Sequence, residues 1–397
     1  MALGDKSNRI TITFRPERCL HSRSVWADCT LCVDSCPGGA IRRAAHGKGP
    51  ELDLSRCIRC GQCLSACPLE AFEAPDFTER QLLNRVKPSG PIRIRCFLPY
   101  GELESLSFES DTYQLGACIG ALTPGALFEL AQSRPCTLMT DRCATCSAFR
   151  KARATMGANI TGAFRMLHGI GKSSNLQESS PLFLPQISRV FGAKDVQVRR
   201  GGVTSSIRSL FAGKKKARPS RKIMSLRQQS KHVPLWRKRL KDVWAKNGYN
   251  SQGACDYEWP ELVVNQSSCV ACGVCMQMCP TATVAHSFSD DTFSYAFVPG
   301  ICANCGLCIS VCPKGALSRD YRSFAQPFEE QVRYQSPAVA CERCGRPVLN
   351  GREGDLCSRC AGERDRVPLS VMVRRQLGIK SYGDICREQE NQDTAHD

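Results

Sequence analysis

The chain has 397 residues, with 42% apolar and only 7% aromatic side chains, which is enough for several small cores and too little for one large one. Two features stand out, a formal charge of +17 and 27 cysteines. No run approaches the roughly 18 uninterrupted apolar residues of a membrane span. The N-terminus, MALGDKSNRITITFRPERC, lacks the apolar core of a secretory signal. The expected compartment is therefore the cytoplasm, where reduced cysteines at this density bind metals rather than one another.

In chain order, the first pattern is Cys29, Cys32, Cys36 and Pro37. Its missing first position holds Trp26, and the nearest upstream cysteine is Cys19. Complete copies of C-x2-C-x2-C-x3-C-P follow at Cys57, Cys60, Cys63 and Cys67, at Cys269, Cys272, Cys275 and Cys279, and at Cys302, Cys305, Cys308 and Cys312. This spacing is that of iron–sulfur ligation. Three thiolates two residues apart wrap one corner of a cubane, and Gly61, Gly273 and Gly306 serve the tight turn. The fourth cysteine ligates the other cluster of a pair, so the motifs must work in twos. They do come in twos, 20 residues apart in the first pair and 22 in the second.

These residues resemble the dicluster ferredoxin family over about 70 residues at each of two places. The resemblance implies one 4Fe–4S cluster on Cys57, Cys60, Cys63 and Cys36. It implies a second on Cys29, Cys32, Cys67 and, by a long reach, Cys19, with His21 or a three-iron cluster as alternatives. In the second module it implies one set of Cys269, Cys272, Cys275 and Cys312, and another of Cys302, Cys305, Cys308 and Cys279. Apolar residues between ligands, Ile58, Leu64, Val274, Met276, Met278, Leu307 and Val311, are expected to limit water near the clusters.

Between the pairs, PIRIRCF reads as a strand ending at Cys96. Thr123 reads as an N-cap and Pro124 as the first residue of a helix, shortly after Cys118. PCTLMT reads as a buried strand before Cys143 and Cys146, with Cys136 in the core. Such strand-end positions are where α/β folds place their sites. The arrangement is similar to the cysteine-rich domain of methyl viologen-type hydrogenase delta subunits and heterodisulfide reductase components. That resemblance implies a fifth iron–sulfur or a zinc site on Cys96, Cys118, Cys143 and Cys146. The alternative is a ligand-free α/β domain with a redox-active dithiol at Cys143 and Cys146, or simply buried thiols.

Residues 189–246 carry 18 Lys plus Arg against two Asp, nearly the whole net charge. Within them Trp236, Leu240, Val243 and Trp244 form one apolar helical face. Packing on the protein's own ferredoxin module is the favoured role of that face, ahead of a partner, a membrane surface or nucleic acid. Near the C-terminus, Cys341, Cys344, Cys357 and Cys360 form a C-x2-C pair repeated after twelve residues. This resembles a zinc ribbon, and implies one structural zinc that supplies the folding energy of a core-poor loop. Cys255 and Cys386 are isolated and read as incidental.

The expected fold is α+β and multidomain, with two ferredoxin-like dicluster modules flanking a small α/β domain and a C-terminal zinc ribbon. Its boundaries are 1–90, 91–172, a basic connector over 173–250 with a helix at 233–246, then 251–325, 326–364 and a tail over 365–397. No dinucleotide or phosphate loop and no catalytic triad is evident, so no small-molecule substrate site is expected. The chain reads as a relay passing single electrons through four, or five, clusters to or from a redox partner protein. Ferredoxin subunits of this look accompany molybdopterin enzymes such as formate dehydrogenase, and hydrogenases. The alternatives are a thiol–disulfide or heterodisulfide-type reductase using the middle cysteines, and a redox-sensing accessory protein.

Overall fold

The computed structural model describes residues 10–24, 27, 29–43, 49–96, 111–184, 231–249 and 257–364. Trp26, Cys255, Cys386, most of the basic connector and the 365–397 tail lie outside the described residues. The chain divides into two compact units. One comprises Met1–Val264, Val274–Ala285 and Ala296–Gln331, and the other Asn265–Gly273, His286–Tyr295 and Val332–Asp397.

The first unit begins with two short antiparallel pairs. β1 (Thr13–Phe14) meets β4 (Phe72–Glu73), and β2 (Ile41–Arg42) meets β3 (Glu51–Leu52). Between them lie the helical turns α1 (Leu20–Arg23), which follows Cys19, and α2 (Leu31–Ser35) and α3 (Gln62–Ala66), which carry Cys32 and Cys63. Strands this short hold because Ile10, Ile12, Ile41 and Phe72 bury a small common core. A helix, α4 (Glu79–Arg85), follows, started by a reciprocal capping box between Thr78 and Gln81.

The middle of the chain is a four-stranded parallel sheet in the order β6–β5–β7–β8. Its strands are β5 (Ile92–Arg95), β6 (Thr112–Gln114), β7 (Cys136–Leu138) and β8 (Leu176–Glu178). Two helices cover it, α5 (Pro124–Ala131), capped by the Thr123 hydroxyl, and the long α6 (Phe149–Gly169). Ile94, Cys136 and Leu138 are fully buried, as strands covered by helices require. The sheet runs past the boundary expected at 172, because β8 pairs with β7 and closes the edge.

The apolar face read from the sequence is α7 (Leu235–Lys246), whose Trp236, Leu240 and Trp244 are buried. It seats on the expected ferredoxin-like segment through Trp259, and also on the middle domain. The Trp244 ring lies 5.9 Å from Phe128 of α5, and Trp236 abuts Gly125. The helix therefore packs on the middle domain, joined there by Trp259 and Phe328. The Glu70 carboxylate accepts from the Leu235 N–H at 2.8 Å and so caps the N-terminus of α7. Arg239 bonds Glu79 of α4 at 2.6 Å and Glu129 of α5 at 3.0 Å.

The second ferredoxin-like segment repeats the plan of the first. β9 (Trp259–Val264) pairs antiparallel with β12 (Leu317–Arg322), enclosing the turns α8 (Val274–Met278) and α9 (Leu307–Ser310). β10 (Val284–Ser289) and β11 (Thr292–Phe297) form a hairpin whose tip residues, Asp290 and Asp291, both have positive φ. In the second unit the hairpin sheet is extended by β13 (Gln331–Ala340) and β14 (Pro347–Leu349), and a last helix, α10, spans Ser358–Arg364.

Candidate iron–sulfur and metal centres

Four turns share one conformation. After each Cys-Pro, the third residue beyond the cysteine sits in the left-handed region: Gly39, Glu70, Ala282 and Gly315. The next N–H then turns back onto the sulfur. Ala40 donates to Cys36 at 3.3 Å, Ala71 to Cys67 at 3.2 Å, Thr283 to Cys279 at 3.4 Å and Ala316 to Cys312 at 3.3 Å. A repeated N–H aimed at sulfur is what a thiolate ligand uses, since it carries negative charge. The incomplete first motif keeps this geometry at Cys36.

In the three complete motifs, the residue before the second cysteine and the glycine after it are both left-handed. The pairs are Arg59 with Gly61, Ala271 with Gly273, and Asn304 with Gly306. Left-handed residues in such tight turns aim backbone N–H groups inward as an anion-binding nest. Gly61 is further constrained by space. A Cβ there would stand 2.9 Å from the Ala121 Cβ and 3.0 Å from the Ile10 Cδ1.

Three pockets in the first unit gather these cysteines. One is lined by Cys36, Cys57, Cys60 and Cys63. Another is lined by Cys19, Cys29, Cys32 and Cys67. The third is lined by Cys279, Cys302, Cys305 and Cys308. Cys19 thus enters the pocket of the incomplete motif from the short turn before α1. His21 borders the same pocket, but its Nε2 is engaged with the Cys29 backbone at 2.7 Å. Cys275 and Cys312 also lie in the first unit, whereas Cys269 and Cys272 lie in the second. Burial pushes the Cys60, Cys67 and Cys302 thiols up to about 12. Protonated, buried sulfurs in fours have little use, and a multiply charged iron group reverses the shift by holding them as thiolates. Donor type, N–H aim and pocket therefore fit iron–sulfur clusters. The expected shield of apolar residues is partial: Met278 and Leu307 are buried, but Ile58 is 39% exposed.

The middle cysteines meet at the carboxyl edge of the parallel sheet. Cys96 follows β5, Cys118 stands after β6 at the turn into α5, and Cys143 and Cys146 follow β7. Cys143 has the other three as electrostatic neighbours, and burial pushes it and Cys96 up to about 12. An activated dithiol shows the opposite shift. This site abuts a ferredoxin pocket. The Cys118 N–H donates to the Cys60 carbonyl at 2.9 Å, and the buried Gln62 amide reaches the Cys118 sulfur at 3.4 Å. Gln62, inside the Cys60–Cys63 loop, was missed in the sequence, where it reads as one polar residue among ligands. Its burial depends on a fold partner more than fifty residues away.

In the second unit, Cys341, Cys344, Cys357 and Cys360 bring their sulfurs within 4.8 Å of one another. Among the described residues no other set of His, Cys, Asp or Glu is so compact. The Cys344 and Cys357 sulfurs stand 3.6 Å apart, against about 3.8 Å for a tetrahedron with 2.3 Å metal–sulfur bonds. The Cys357 N–H donates to the Cys341 sulfur at 3.2 Å and holds that thiol down at about 6.

Residues 27–71 match the 4Fe-4S dicluster domain family, and residues 262–284 and 295–318 match the 4Fe-4S binding domain family. A curated relative, NADH-quinone oxidoreductase subunit I 2 of Geobacter metallireducens, is 38% identical over 61 residues, which is 13% of this chain and 47% of the relative. The chain spans about half the length of that relative. Neither family match extends to the C-terminal cysteine cluster or to Cys96, Cys118, Cys143 and Cys146. The chain carries two ferredoxin-type 4Fe–4S domains, one near its N-terminus and one in its C-terminal half, and a compact C-terminal cysteine cluster.

Proposed function

We propose that the protein is a multi-cluster electron relay serving redox partner proteins. The observation that carries this reading is the continuity of the cysteine pockets through the first unit. The middle site touches the Cys36 pocket through Cys118 and Cys60. The Cys36 and Cys19 pockets share the core of one module, where Cys32 is an electrostatic neighbour of Cys63. The Cys19 pocket meets the Cys279 pocket across Leu20, Leu69, Met278 and Leu307, with Cys29, Cys67 and Cys305 packed against them.

A 4Fe–4S cluster takes up and releases one electron at a time. The chain's own residues do the rest. The cysteines hold the clusters, the aimed N–H groups of Ala40, Ala71, Thr283 and Ala316 set sulfur charge, and the apolar contact between the modules keeps water out of the path. Each of these sets the potential or the reorganisation of a site rather than binding a substrate. We assign Cys96, Cys118, Cys143 and Cys146 to a further centre. Zinc is assigned to Cys341, Cys344, Cys357 and Cys360, where it stabilises a segment whose described core is little more than the cysteines themselves. A subunit of a larger oxidoreductase fits this layout, in keeping with what the relative's name says of that protein.

The test is the iron, acid-labile sulfide and zinc content of anaerobically purified protein. About 16 to 20 iron, matching sulfide and about one zinc per chain is the expected result. Near-zero iron with several zinc overturns the reading.

A further inference from the structure

The residues 231–237 enter beside both ligand-bearing loops of the Cys279, Cys302, Cys305 and Cys308 pocket. The Lys231 ammonium donates to the carbonyl oxygens of Gln277 at 2.6 Å and Cys279 at 2.7 Å. Arg237 is 6% exposed and donates to the Gly300 carbonyl at 2.9 Å, two residues before Cys302. Among the described residues neither forms an ion pair. Arg319 lines the pocket itself, and Arg23, 8% exposed, has Cys305 and Cys279 as electrostatic neighbours. The carboxylate in the wall is Glu261, which is paired with Arg322 at 3.1 Å.

The other two pockets differ. Among the described residues the Cys19 pocket has one arginine in its wall, Arg43. Among the described residues the Cys36 pocket has no charged side chain in its wall, and Arg59 acts on Cys57 from the loop. Reduction adds negative charge, so a fixed cation favours the reduced state. A buried cation does so most, because solvent and salt screen it least.

We propose that Lys231 and Arg237 make the Cys279, Cys302, Cys305 and Cys308 site the highest-potential of these three, the place where electrons collect. The inference rests on the relay reading above. In the step, one electron leaves the Cys19, Cys29, Cys32 and Cys67 site, which is oxidised by one, and enters the Cys279 site, which is reduced by one. No bond forms or breaks and no proton moves. The electron enters the chain from a one-electron donor protein.

The test is a potentiometric titration followed by electron paramagnetic resonance on the anaerobic full-length protein. Cys308→Ser identifies the centre by altering its signal. The expected result is that this centre is reduced first in the wild type. Lys231→Gln and Arg237→Gln each shift its midpoint downward, leave the other centres unmoved and keep the iron content. Arg237→Lys restores the wild-type midpoint. Full iron content with an unmoved midpoint in both Gln variants overturns the inference, as does an equal shift of every centre. Should the buried Arg237→Gln protein fail to fold, the exposed Lys231 carries the test alone. A wild type with no reducible iron–sulfur signal overturns the relay reading and this inference with it.

Discussion

Cys19 stands seven residues ahead of the position its motif leaves to Trp26, yet it lines the pocket of Cys29, Cys32 and Cys67. As the fourth ligand, its substitution should cost iron. Cys19→Ser is expected to lose between about one and about four iron per chain, with a three-iron signal at the low end. His21→Ala should leave the iron content unchanged, since His21 serves the Cys29 backbone. The reverse pattern in iron analysis would transfer the ligand role to His21. The motif glycines give a second residue-scale contrast. Gly61→Ala meets the Ala121 and Ile10 carbons, on top of the left-handed backbone cost, for about 2–4 kcal/mol in total. Gly306→Ala meets only the tip of the Arg319 guanidinium, a group able to swing away, so about 1–2 kcal/mol is expected. Thermal unfolding without oxygen, followed by the sulfur-to-iron absorbance, should rank the Gly61 variant lower.

Among elements, α7 is the tie. Its N-terminus is capped by Glu70, from a cysteine turn, and its apolar face is seated on α5. Arg239 lies between Glu79 of α4 and Glu129 of α5, and burial raises the Glu129 carboxyl despite the arginine. Removing the arginine leaves two carboxylates largely buried and facing each other. Arg239→Ala should cost about 2–4 kcal/mol, somewhat less than for a fully buried pair because the side chain keeps some solvent. The double variant Arg239→Ala with Glu129→Ala should recover part of the loss. Denaturant midpoints check both, and strict additivity would mean that the contact carries no coupling.

For the molecule as a whole, the ferredoxin segments share a core within the first unit instead of hanging on a long linker. Their reduced centres should therefore interact magnetically. Fully reduced protein is expected to show spin-coupled resonance signals, and half-reduced protein simpler ones. A fully reduced spectrum equal to the sum of isolated centres would mean that the two segments do not form one path.

The cysteine spacings alone determined the chemistry, because ligation of a cubane requires residues at fixed short separations along the backbone. The Thr123 cap, the buried strand at Cys136 and the α7 stripe were legible for the same reason, being local. Cys19 was only a candidate in the sequence, since a long excursion has no period to read. The partner of α7, the burial of Gln62 against Cys118 and the cations around the Cys279 pocket were decided by tertiary structure. Each joins residues from about fifty to more than a hundred and sixty positions apart. Such contacts follow from how whole surfaces pack, and no local pattern encodes which surface a helix will find.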